Sequence, residues 1–108
     1  MTTSVVVNEK GMGQIDKDPQ AVLDYIYDWS AWLAGIFDTI VSATFPVANG
    51  GTTVNSFDII NIAPGSANGV RAWIGGGTLD EIAEVTCRIT TQGGRTEERT
   101  LRLKIRER

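Results

Sequence analysis

Apolar and polar residues alternate along most of this chain with a period of two, broken every 8–12 or so residues by glycine-, proline- and asparagine-rich turns. Leu23, Tyr25, Tyr27 and Trp29 alternate with Asp24, Ile26, Asp28 and Ser30, which predicts a strand with one wet face. The stretch from Trp29 to Gly35 then breaks the alternation, as one short helical turn or a bulged connection ending at Gly35; Trp29, Trp32 and Leu33 at i, i+3 and i+4 favour the turn. Asp38 to Val47 reads as the next strand. Thr39, Val41, Ala43 and Phe45 share one face, Ile40, Ser42 and Thr44 the other, and Pro46 marks an edge or an end. Asn49-Gly50-Gly51 predicts a turn, Thr52 to Ile62 one strand or two short ones, and Pro64 to Gly69 another turn. Val70, Ala72 and Ile74 form a further strand, with Arg71 and Trp73 on its opposite face, ending at Gly75-Gly76-Gly77.

The last third predicts a long antiparallel hairpin, with Ala83, Val85, Cys87 and Ile89 facing Leu101, Leu103 and Ile105. A two-residue Gly93-Gly94 loop would set Cys87 opposite Thr100 and bury the wrong face. The expectation is therefore a three-residue loop (Gly93-Gly94-Arg95), a five-residue loop or a bulge, with Cys87 opposite Leu101, Val85 opposite Leu103 and Ala83 opposite Ile105. About seven short strands in residues 19–108 predict an all-β, immunoglobulin-like antiparallel sandwich, with an open barrel as the alternative. Residues 1–18 show no sustained period, close on Lys17-Asp18-Pro19 and are expected to form a flexible arm.

Composition narrows the chemistry. The chain of 108 residues has no histidine, which removes the commonest general base and metal ligand together, and a single cysteine, which excludes an intrachain disulfide. Cys87 lies mid-strand on the apolar face and reads as a small core residue. Asp16, Asp18, Asp24 and Asp28 lack the spacing of a calcium loop, and Gly75-Gly76-Gly77-Thr78 lacks the Lys-Ser/Thr of a phosphate cradle. No catalytic, metal or cofactor site is expected. The opening residues carry no signal-peptide pattern, and no apolar run approaches the roughly 20 residues that span a bilayer.

A net charge of −3 argues against nucleic-acid binding. The charge is uneven: residues 1–60 carry seven acids and two bases, residues 61–108 six acids and eight bases. Such asymmetry suits head-to-tail packing of copies, or simply solvates two faces. Arg99, Arg102, Lys104, Arg106 and Arg108 read as the solvated face of the last strand. The candidate interface residues are Trp32, Trp73, Arg95 and Met12, with Trp73 placed by its parity as an exposed anchor.

Lys17-Asp18-Pro19, Asp24-Tyr25, Asp28-Trp29-Ser30-Ala31-Trp32-Leu33 and Asp38-Thr39-Ile40, followed by Trp73-Ile74-Gly75-Gly76-Gly77-Thr78, Val85-Thr86 and Thr90-Thr91-Gln92-Gly93-Gly94-Arg95-Thr96-Glu97-Glu98-Arg99, resemble small tailed-phage and prophage proteins of the fiber–tail adaptor (tail structural) family. The resemblance spans residues 17–108 and departs at Ile36-Phe37, where a tighter glycine turn is expected. It implies a virion component of the neck or tail, made in the bacterial host cytoplasm and present in several copies. Its implied partners are other tail or neck proteins, with no enzyme activity, direct nucleic-acid contact or membrane. The competing reading is an immunoglobulin-like module that recognises a glycan or host receptor through Trp32 or Trp73.

Overall fold

The alternating segments assemble into two four-stranded sheets that share one core between them. The computed structural model describes residues 5–7 and 14–107. In chain order these are β1 (Val5–Val7), β2 (Gln14–Lys17), β3 (Leu23–Asp28), α1 (Ser30–Ile36), β4 (Ile40–Ala48), β5 (Thr52–Ile60), β6 (Gly69–Gly76), β7 (Ile82–Thr91) and β8 (Thr96–Ile105). The first sheet has the order β1-β3-β6-β5 and the second β2-β8-β7-β4. The all-β sandwich with one short helix is thus as the alternation predicts.

Period-two burial builds the core. Tyr25, Tyr27, Val70, Ala72 and Ile74 of the first sheet meet Ala83, Val85, Cys87, Ile89, Leu101, Leu103 and Ile105 of the second, all buried. Each Val, Leu or Ile side chain so placed contributes about 1.5–3 kcal/mol by leaving water. The Tyr27 hydroxyl donates to the Val85 carbonyl at 2.8 Å, a buried bond from one sheet to the other. Burial pushes its pKa above the usual phenol range and raises that of the Cys87 thiol to about 12, so Cys87 is an inert core residue.

The β7–β8 hairpin keeps the expected parity but not the expected pairs. Val85 lies opposite Leu101, Ala83 opposite Leu103 and Cys87 opposite Arg99, a slip of two residues. The loop is Gln92-Gly93-Gly94: Gly94 donates to the Thr91 carbonyl at 3.0 Å and Thr91 to the Arg95 carbonyl at 2.8 Å. Gly94, at φ 87°, supplies the left-handed residue that closes a three-residue hairpin. Alternation constrains register only modulo two, and the turn chooses among the allowed values. Arg99 shares the parity of Leu101 and Leu103, so it falls on the inward face, not the solvated one, and its guanidinium lies 4.8 Å from the Trp29 ring centroid while donating to the Asp28 carbonyl.

Three further expectations are corrected. In β4 the register shifts between Ile40 and Ser42, so Ile40 is buried (4% exposed) and Val41 turns outward (55%), the reverse of a regular strand. A second shift between Thr44 and Val47 accommodates Pro46 within an edge strand. The helix runs two turns, through Gly35 to Ile36. Finally, parts of the expected arm are strands: Val5–Val7 pairs parallel with β3, and Gln14–Lys17 pairs parallel with β8.

Lys17 explains the second of these pairings. Its buried ammonium donates to the carbonyls of Asp18 at 2.9 Å, Ala21 at 2.7 Å and Gly76 at 2.6 Å, so all three N–H groups are used. Burial lowers its pKa, with the neighbouring Asp18 opposing the shift. The lysine ties the β2–β3 turn to the end of β6. Lys17→Met would take that donor from three part-buried carbonyls and is expected to lower stability by about 3 kcal/mol in chemical denaturation; a change below about 0.5 kcal/mol would contradict this role.

Candidate protein–protein interface

At one end of the sandwich α1, the connection between β5 and β6, and the β7–β8 turn come together. The entry to α1 is set by Asp28, whose carboxylate accepts the Ser30 N–H at 2.8 Å, and by the Trp29 N–H, which reaches the Asn68 carbonyl at 3.0 Å. Leu33 is buried, and Trp32 and Ile36 pack partly against the core, which gives α1 its inner face. Asn68 knits the facing loop: its side chain accepts from Ile62 N–H at 2.7 Å and donates to the Ile62 carbonyl at 2.9 Å.

The helix stops at Phe37, not Gly35. Phe37 takes the left-handed conformation (φ 53°), and the Asp38 N–H donates to the Leu33 carbonyl at 3.1 Å, closing a Schellman-type end. Glycine normally occupies this position, because a Cβ there costs about 1–2 kcal/mol. Here the ring is 96% exposed. Its position is imposed from both sides, by the helix end before it and by Asp38 after it.

Asp38 is the tie between this turn and the β7–β8 hairpin. Its carboxylate accepts N–H groups from Thr39 at 2.9 Å and Gly93 at 3.0 Å, and the Arg95 guanidinium at 2.8 Å. The Thr91 hydroxyl also bonds it and is the largest influence on its acidity. Partial burial opposes, and the backbone donors and Arg95 add to the effect, so the pKa falls to about 2. A Cβ at Gly93 would lie 2.8 Å from Asp38 Oδ2 and 2.7 Å from Arg95 Nη1, so glycine is the residue that lets hairpin and carboxylate approach. Beside Phe37 lies an open cleft of about 490 Å³, walled by Leu33 and Ala34 of α1 and by Ile62, Ala63 and Pro64 opposite.

Of the residues chosen from sequence, Trp32 and Arg95 are brought to this end, Arg95 already paired with Asp38. Trp73 is 40% exposed on the outer face of the first sheet, opposite Asp24 on β3 and Ser56 on β5. Met12 lies outside the described residues. Phe37 was not chosen; its signal was the bulky residue standing where a glycine turn was expected. Among the described residues no group of three or more His, Cys, Asp or Glu side chains is placed to hold a metal ion, and no helix is long and apolar enough to cross a membrane.

Residues 17–104 match the family model described as podophage GP4 fiber-tail adaptor protein gp77. The chain belongs to this family. The match opens at Lys17, the three-carbonyl tie, and includes both halves of the Asp38 site. Membership in this adaptor family makes the chain a structural phage-tail protein and a virion component. A search of curated proteins returned no match.

The Asp38 tie has a pH signature. A carboxylate whose pKa falls on folding stabilises the fold above its ordinary value near 3.9 and loses that contribution as pH drops through about 2. The denaturation midpoint of the wild type should therefore decline between about pH 4 and pH 2. Asp38→Asn should start lower at neutral pH and show a flatter decline in that window; parallel profiles would remove the tie.

Proposed function

We propose that the chain is a non-enzymatic assembly module that joins tail and fibre components through the end bearing Phe37, acting in several copies in the particle. The observation that carries this reading is an aromatic ring held in a strained backbone conformation and left in water. Strain of this kind persists where surrounding structure imposes it, and it collects at functional positions. A ring with two rotatable bonds on a fixed backbone loses little entropy on docking, which suits an anchor. The adjoining apolar cleft offers the complementary half of such a contact.

The strand order supports the reading of a rigid carrier. β3-β6-β5 against β4-β7-β8 follows the B-E-D and C-F-G order of an immunoglobulin-type sandwich, with β1 added beside β3 and β2 beside β8. In that comparison α1 occupies the B–C connection, and the Gly93-Gly94 turn is the F–G loop. These are positions at which such sandwiches carry recognition surfaces. Direct nucleic-acid or membrane contact has no part in this reading.

A second reading, recognition of a glycan or receptor, is favoured by one observation: the exposed Trp73 ring between Asp24 and Ser56. Loss of glycan binding in Trp73→Ala, with Arg102→Ala unaffected, would support it.

Phe37→Gly tests the leading reading. The exposed ring contributes little packing, and glycine relieves the left-handed conformation, so stability should rise by up to about 1 kcal/mol. Binding to tail or fibre proteins of the same phage, measured by co-purification and calorimetry, should weaken at least about tenfold, the size of loss expected for an anchor. A stabilised variant that binds as well as wild type would overturn the reading.

A further inference from the structure

We propose that the flank formed by β4 and β5 is a self-association surface, where a second copy of this chain packs the same flank against it about a two-fold axis. β4 and β5 are the edge strands of the two sheets and lie on the same side of the sandwich. From Thr39 to Phe57 the sequence carries no charged residue, in a chain that is 21% Asp, Glu, Lys and Arg. That stretch supplies all of β4 and most of β5.

Apolar side chains emerge along it. Phe57 is 46% exposed, Val47 38% and Val41 55%. Between the strands is an open cleft of about 520 Å³ lined by Phe45, Val54 and Phe57 with Ala48, Asn55 and Ser56. Phe45 and Phe57 meet edge to face at 5.0 Å, so the flank is an outward continuation of the core.

Edge strands are ordinarily guarded by charge, proline or bulges. Between Thr39 and Phe57 only the last two are used: two register shifts and Pro46 in β4, and one shift between Val54 and Ser56 in β5. These interrupt a hydrogen-bonded ladder with a further strand, while leaving side chains free to pack. The expected contact is therefore core-like packing, not strand addition.

Charge identifies the occupant. A two-fold contact sets a surface against itself, so a flank charged with one sign meets that sign again. The outer face of the second sheet carries the cross-strand pairs Arg88–Glu98 and Glu84–Arg102, and the outer face of the first carries Asp24 with Arg71. Asp58, the one charged residue of β5, lies opposite Arg71 of β6, so the stretch from Thr39 to Phe57 brings no charge to a copy of itself, and burying it desolvates none. This deepens the several-copies part of the proposed function by naming the surface, and it leaves Phe37 to another partner.

Sedimentation equilibrium of the full chain from about 1 to 100 µM tests it. The wild type should show a reversible monomer–dimer equilibrium. Phe57→Arg and Val47→Arg, at positions already exposed in the monomer, should raise the dissociation constant at least tenfold while circular dichroism stays unchanged. Thr44→Lys, a wholly polar exchange at an exposed position, serves if either arginine disturbs folding. Arg102→Ala and Phe37→Gly should dimerise like wild type. A wild type that remains monomeric at 100 µM, a closed ring larger than a dimer, or a dimer that survives these flank substitutions would overturn the proposal. A wild type that stays monomeric while still binding its partner through Phe37 would sink this surface and leave the adaptor reading standing.

Discussion

A single phenol holds the two halves of this molecule in place. Tyr27 is fully buried, so its hydroxyl must find a partner or leave a desolvated donor. It finds the Val85 carbonyl on the other sheet at 2.8 Å, which fixes where the sheets stand relative to each other in a way that aliphatic contacts alone do not. The same ring stacks on Trp29 at 6.2 Å in one direction and meets Phe45 edge to face at 6.0 Å in the other. Trp29 leads to α1 and the end of the sandwich; Phe45 leads through Phe57 to the open flank. Both surfaces with a proposed role are thus built outward from one residue at the centre of the core.

The sequence revealed parity better than position. Alternation assigned the inward faces of β3, β6, β7 and β8, because a period of two admits no third choice once one face is apolar. It left register free in steps of two, and the hairpin took the neighbouring step. Arg99, on the same parity as Leu101, closes over Trp29 where a solvated residue was expected. In β4 a bulge reversed Ile40 and Val41, and nothing local in Thr39-Ile40-Val41-Ser42 marks a bulge. β2 escaped notice for another reason. Its pairing with β8 is parallel and distant in sequence, and its closing residue is a lysine, which reads as solvated until three carbonyls are found around its ammonium.

The candidate interface was half legible for a related reason. Arg95 and Trp32 were visible as residue types suited to contacts, but their relation depends on Asp38, which joins segments more than fifty residues apart. Glycine patterns were legible only as turns. That Gly93 yields room to the Asp38 carboxylate and that the helix passes Gly35 to end on a phenylalanine are tertiary facts. The bulky pair Ile36-Phe37 proved more informative than the residues around it: where the left-handed end of a helix favours glycine for conformational reasons, a large apolar side chain needs a compensating use.

These features assign different physical tasks to different surfaces. The ladders on the outer face of the second sheet pair their charges internally, so that face stays soluble and presents little to a partner of either sign. The end with Phe37 offers one projecting ring on an imposed backbone, a geometry that discriminates by shape. The β4–β5 flank offers area without charge, a geometry that tolerates its own copy. On the proposed reading the adaptor holds a neighbour of its own kind and a partner of another kind at once, and one surface cannot serve both without competition between them. With Tyr27 linking the two through Trp29 and Phe45, the sandwich can keep both surfaces in a fixed relation while each is occupied separately.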